Sequence, residues 1–163
     1  MQLENRVFAG IFLLSLGSVL AALVSQHVFG MAPCAWCVFQ RLIYLVIGLV
    51  SLIAWVHSPI NLLVYRLYAL SVTTIALAGL ASAIYQMRVA ATMFSCAQTL
   101  ADRWMTQSGL ESAVPWLFGI YASCMDAVVY VMGMEYAAWS AIMYGLIALL
   151  GCWAIVRPQR ARG

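Results

Sequence analysis

The chain has 163 residues, 66% of them hydrophobic and 8% charged, with a mean hydropathy of +0.97. A soluble domain carries charge on about a quarter of its residues, so this composition excludes a soluble globular protein and indicates an integral membrane protein. The formal net charge of +3 comes without a single lysine, and no nucleic-acid partner is expected.

No Asp, Glu, Lys or Arg occurs between Arg6 and Arg41, Arg41 and Arg66, Arg66 and Arg88, or Glu135 and Arg157. A helix needs roughly 20 apolar residues to cross the hydrocarbon core. Four spans therefore fit, at about 7–25, 38–56, 67–85 and 136–156, with loops 26–37 and 86–135 on one side. The first uncharged stretch exceeds the roughly 7 to 15 residues of a cleavable signal core and lacks a small-residue cleavage site, so it is read as a retained span.

The second span opens on Pro33-Cys34-Ala35-Trp36-Cys37. Proline lacks an amide donor and suits a helix entrance. The positive end of a helix there stabilises a thiolate at Cys34 or Cys37, and a stabilised thiolate leaves readily in disulfide exchange. A thiol pair carries two electrons, and at the water–lipid boundary it can meet both a soluble protein thiol and a lipid-soluble oxidant. Arg41 follows Cys37 by four positions, on the same helical face one turn deeper. Leu42 to Val56 is too short to span alone, which draws Arg41 into the membrane edge. Taken alone, Arg41 fits an anchor snorkelling to the headgroups as well as a functional cation. Beside a redox pair the functional reading is preferred: a guanidinium suits a quinone carbonyl and the charge that develops on reduction.

The third span is rich in small residues (Ala76, Ala78, Gly79, Ala81, Ser82, Ala83), and Gly145 and Gly151 punctuate the fourth. Small side chains let membrane helices approach closely, which predicts a tight four-helix bundle in one domain. The long loop before the fourth span holds Cys96 and Cys124. Within it, Val114 to Met134 is aromatic and nearly uncharged, which predicts a short interfacial helix, with a re-entrant dip as the weaker alternative.

Arg6, Arg66, Arg157, Arg160 and Arg162 fall on one side of these spans, so both termini are expected in the cytoplasm. Cys34, Cys37, Cys96 and Cys124 then face an oxidising compartment. Four cysteines allow three connectivities. A purely structural role as staples remains open, although a bundle in lipid needs little stapling. Zinc is disfavoured because Cys96 and Cys124 lack close ligand spacing, and no metal site is expected. Val38 stands where haem attachment would need histidine. Cys152 is read as a small packing residue.

Gln26-His27, Pro33-Cys34, Cys37, Arg41, the loop cysteines Cys96 and Cys124, and Gly133-Met134-Glu135 with Trp139 together resemble the DsbB family of the bacterial inner membrane. The resemblance implies an all-α membrane protein: a four-transmembrane-helix bundle with a long periplasmic loop containing a short interfacial helix. It also implies a protein-disulfide:quinone oxidoreductase that reoxidises a DsbA-like periplasmic thiol oxidase and passes the electrons to the membrane quinone pool, as ubiquinone or menaquinone. Carried over by residue, Cys96 is the cysteine attacked by the partner's thiolate and Cys124 its loop mate. That pair then reduces the Cys34–Cys37 disulfide, and Cys37, nearest Arg41, meets the quinone. Family members often carry an acidic residue where Gln40 stands and a histidine near the end of the third span, where Tyr85-Gln86-Met87-Arg88 stands. Arg88 is the candidate replacement donor. Gln26 and His27 are read as polar residues satisfied at a helix end, and Glu135 and Trp139 as interfacial positioning residues. Two other readings compete: a quinone-reducing protein resembling vitamin K epoxide reductase, and a non-catalytic four-span interaction protein with structural disulfides.

Overall fold

Four long helices enclose the four apolar stretches: α1 (Leu3–His27), α2 (Ala35–His57), α3 (Leu62–Arg88) and α7 (Tyr136–Val156). The computed structural model describes residues 3–57, 61–92 and 100–156. Arg157, Arg160 and Arg162, on which the expected orientation partly rests, lie outside the described residues. Each helix is long and apolar enough to cross a membrane. Leu13, Leu49, Leu70 and Leu149 are all more than half exposed, an outward apolar surface that suits acyl chains and would be costly in water. The chain is a multi-pass membrane protein with a four-helix fold.

Inside the bundle, Phe8, Ile11, Ile47, Val72, Tyr144 and Ile147 are fully buried. The most extensive seam joins α3 to α7, followed by α1 with α2 and α2 with α3; α1 and α7 meet much less. Two glycines explain the close seam. A Cβ at Gly79 would collide with the Tyr144 ring, and one at Gly151 with Thr73 Oγ1. A Cβ at Gly145 would meet nothing within 4 Å, so this glycine does not serve helix approach. Cys152 is exposed on the outer surface of α7 rather than packed inside the bundle.

The end of α1, the start of α2, the end of α3 and the start of α7 share one end of the bundle. The long loop folds across it. A 3-10 turn (Ala90–Thr92) is followed, after the undescribed segment, by α4 (Leu100–Gln107), α5 (Leu110–Ala113) and α6 (Pro115–Phe118). Met105 of α4 and Phe118 of α6 bury against Val38 in the first turns of α2, fixing the loop on the bundle. Leu100, Trp104, Trp116 and Tyr121 stay largely exposed on its outer side.

The aromatic stretch Val114 to Met134 has helix only in the single turn of α6. At Gly119 the backbone becomes extended, and the amides of Tyr121 and Ala122 both donate to the Pro33 carbonyl, at 3.0 and 3.3 Å. Those bonds direct the chain away from a continued helix. The stretch ends in a hairpin, β1 (Tyr130–Val131) with β2 (Met134–Glu135), paired antiparallel. Its turn residues Met132 and Gly133 have φ of 54° and 81°, the left-handed pair that a tight hairpin requires. Trp139 Nε1 donates to the Val131 carbonyl at 3.1 Å, holding the hairpin against α7.

Candidate active site

Cys34 caps α2: its carbonyl accepts the first helical bond, from the Val38 amide at 3.0 Å. Cys37 therefore falls in the opening turn, where free amides concentrate partial positive charge. The two sulfurs are 3.1 Å apart. Cys34 is fully buried, with Cys37 partly exposed beside it.

Cys124 reaches the same place from the loop, hydrogen-bonded to the Cys34 thiol and to the Trp36 backbone. The two hydrogen bonds from the Tyr121 and Ala122 amides to the Pro33 carbonyl explain this approach, since they tie the loop to the residue just before Cys34. Bonds to Cys124 and Cys37, then burial, push the Cys34 thiol far above its ordinary value. Cys124 is lowered, chiefly by the hydrogen bond from Cys34. As thiols, Cys34 is thus the proton holder of this pair and Cys124 the readier thiolate. Cys96 lies outside the described residues.

Arg41 is 5% exposed, so it does not snorkel to the surface. Its Nη1 donates to Gln26 Oε1 at 2.5 Å and to the Leu117 carbonyl at 3.0 Å, and Nη2 donates to the Ala22 carbonyl at 3.4 Å. The guanidinium thereby joins α1, α2 and the loop at one point. Its Nε is buried without a hydrogen-bond partner, leaving one donor of a charged group unused.

Cys37 and Arg41 share the wall of a cavity of about 550 Å³. Most of that wall is apolar or small, from Leu14, Gly17 and Ala21 of α1 and Trp139 and Met143 of α7. Gln86, bonded to Cys37 Sγ, and Gln40, bonded to Gln86, put polar groups beside the cysteine, and Tyr44, paired with Ser140, adds hydroxyls to the wall. Leu13 and Met132, at 64% and 88% exposure, stand on its rim, so the cavity opens sideways along the weak α1–α7 seam. Such a shape, apolar with a few convergent donors, suits a flat organic ring bearing carbonyl oxygens and an apolar tail.

Two polar residues near the site, Gln26 and Arg88, depart from the expectations. Gln26 does more than satisfy a helix end, because it fixes Arg41. His27 does fit that role, with Nε2 2.9 Å from the Trp116 carbonyl. Arg88 is exposed and absent from the cavity wall, where Gln86 stands instead. Among the described residues no cluster of His, Cys, Asp or Glu could hold a metal ion.

Comparison with known proteins adds the lineage. The family model described as disulfide bond formation protein DsbB matches residues 4–154. The chain belongs to the DsbB family. Similar proteins, each called disulfide bond formation protein B, come from Marinobacter nauticus (29% identity, 96% of this chain and 94% of the relative), Ralstonia nicotianae (31%, 98% and 99%) and Stutzerimonas stutzeri (32%, 87% and 90%). Family and fold together make this a membrane oxidoreductase of disulfide bond formation.

Proposed function

We propose that the chain is a thiol:quinone oxidoreductase of the bacterial inner membrane, with both termini cytoplasmic, that reoxidises a DsbA-like periplasmic dithiol oxidase. The observation that carries this reading is the shared wall: Cys37 and Arg41 line one cavity that opens toward lipid between α1 and α7. A soluble oxidant would need no such side opening.

The contact of Cys124 with Cys34 supports a thiol relay in the order that the family resemblance implies. The partner's thiolate attacks Cys96 of a Cys96–Cys124 disulfide, forming a mixed disulfide and releasing Cys124 as thiolate. The partner's second thiolate resolves that bond, leaving oxidised partner and reduced Cys96. Cys124, in contact with Cys34, attacks the Cys34–Cys37 disulfide at Cys34 and expels Cys37 as the leaving thiolate at the helix start. Cys96 then closes on Cys124 and releases Cys34, so the loop disulfide is restored and both electrons rest on the inner pair.

A bound quinone supplies the two-electron, two-proton sink. Arg41 would hold a carbonyl oxygen, and its unpartnered Nε is a donor suited to that task. Leu14, Gly17, Ala21 and Met143 would cover the apolar part and exclude water.

The test is quinone absorbance after mixing purified protein with a reduced thioredoxin-like dithiol oxidase. Steady bleaching that disappears in Cys37→Ser is expected. Absence of bleaching with saturating partner and quinone would refute the reading, and turnover of a quinone epoxide instead would favour a quinone-recycling reductase.

A further inference from the structure

Two glutamines connect α2 to α3 beside the reactive sulfur. Gln86 Nε2 donates to Cys37 Sγ at 3.2 Å, and Gln40 Nε2 donates to Gln86 Oε1 at 2.8 Å. Both side chains are buried, at 6% and 4% exposure. The Gln40 backbone is held in turn by Tyr144, whose hydroxyl donates to the Gln40 carbonyl at 2.8 Å.

An amide has one accepting and one donating end, so its effect on a sulfur depends on which end faces it. A thiolate or a disulfide sulfur accepts hydrogen bonds and has no proton to give. Gln40, by donating to the Gln86 oxygen, leaves the Gln86 NH2 as the group turned to Cys37. We propose that Gln86 is a catalytic hydrogen-bond donor to the Cys37 thiolate and that Gln40 is a positioning residue that fixes which end of the Gln86 amide meets the sulfur. Neither group changes charge during the reaction. Cys37 therefore gains a stabilising donor that cannot itself titrate, and Arg41 keeps its remaining donor for the electron acceptor.

The inference deepens the redox role proposed for Cys37, and its test needs neither quinone nor partner. In full-length protein with Cys34, Cys96, Cys124 and Cys152 changed to serine, the ultraviolet absorbance of the Cys37 thiolate at neutral pH is the readout. Gln86→Leu should lower the thiolate-to-thiol ratio about tenfold, the size of one lost hydrogen bond to a charged group. Gln40→Leu should lower it too, but should have no further effect in the Gln86→Leu background. Should Gln86→Leu fold poorly because Gln40 loses its acceptor, the double variant Gln40→Leu/Gln86→Leu replaces the pair by two apolar groups and should show the same tenfold loss.

An unchanged ratio in folded Gln86→Leu or in the double variant would overturn the donor role. A Gln40→Leu effect of equal size with and without Gln86 would overturn the positioning role, since mere packing behaves that way. Loss of thiolate in a protein that turns over no quinone would leave this inference standing and remove the proposed function. Intact turnover with no change in thiolate would do the reverse.

Discussion

At the scale of single residues, the site is an arrangement of hydrogen bonds around three sulfurs and one guanidinium. Cys34 gives its proton to the contact with Cys124, which raises Cys34 and lowers Cys124. Because the thiolate is the reacting form, iodoacetamide should label Cys124 ahead of Cys34 in the reduced protein, as peptide mass spectrometry would show. Removing the donor by Cys34→Ala should move the pH midpoint of Cys124 labelling upward, toward that of an ordinary thiol. A midpoint that stays put or falls would mean that the Cys34 contact does not lower Cys124. Arg41 tests separately. Arg41→Lys keeps the charge but loses the fork that reaches Gln26 and the Leu117 carbonyl through Nη1 and the Ala22 carbonyl through Nη2. With hydrogen bonds to a charged group worth about 1.5–3 kcal/mol, kcat/KM for quinone should fall roughly tenfold to a hundredfold. Single-turnover exchange with the protein partner should change little.

At the scale of elements, the α3–α7 seam depends on two glycines and not on the third. Gly79→Ala should destabilise the bundle by about 1–3 kcal/mol, the usual cost of surplus volume in a packed core, because the Tyr144 ring has to move. Tyr144 stacks on Tyr44 with ring centroids 4.2 Å apart and bonds the Gln40 carbonyl, so the disturbance reaches the site. Gly145→Ala meets open space and should be neutral or slightly stabilising by helix propensity. Thermal unfolding in detergent compares the two. Hydropathy could not distinguish these positions in advance, because a helix apolar on every side carries no periodic mark of which face meets lipid. The outward position of Cys152 escaped sequence reading for the same reason. What sequence did reveal was local: uncharged stretches delimit helices, and the fixed helical period puts Cys37 and Arg41 on one face. Gln26, Gln86 and Cys124 join them only through tertiary docking. Gln86 lies 46 residues beyond Gln40, and no spacing rule connects them. The hairpin left a trace in Gly133, but the break after α6 comes from bonds to Pro33, made across the fold.

At the scale of the whole molecule, one end of the bundle meets two different environments. The loop side, where Cys124 sits, meets the aqueous phase; the cavity side, where Cys37 sits, opens through the α1–α7 seam. Exchange with a protein and transfer to a lipid-borne acceptor should therefore be separable by a change on the cavity wall alone. Gly17 is suited to this, because it lines the cavity from α1 while a Cβ there meets nothing within 4 Å. Gly17→Trp keeps the helix, since glycine is the weaker helix former, and adds an indole where the apolar part of the acceptor would lie. Forcing surplus volume into that space costs about 1–3 kcal/mol, so KM for quinone should rise roughly tenfold or more. The rate of mixed-disulfide formation with the partner, followed by quenched-flow gel analysis, should stay within about twofold, because surface substitutions away from a contact usually act within about 0.5 kcal/mol. Equal losses in both rates would show that the α1 wall governs the loop chemistry too, and that the two faces of the site are not independent.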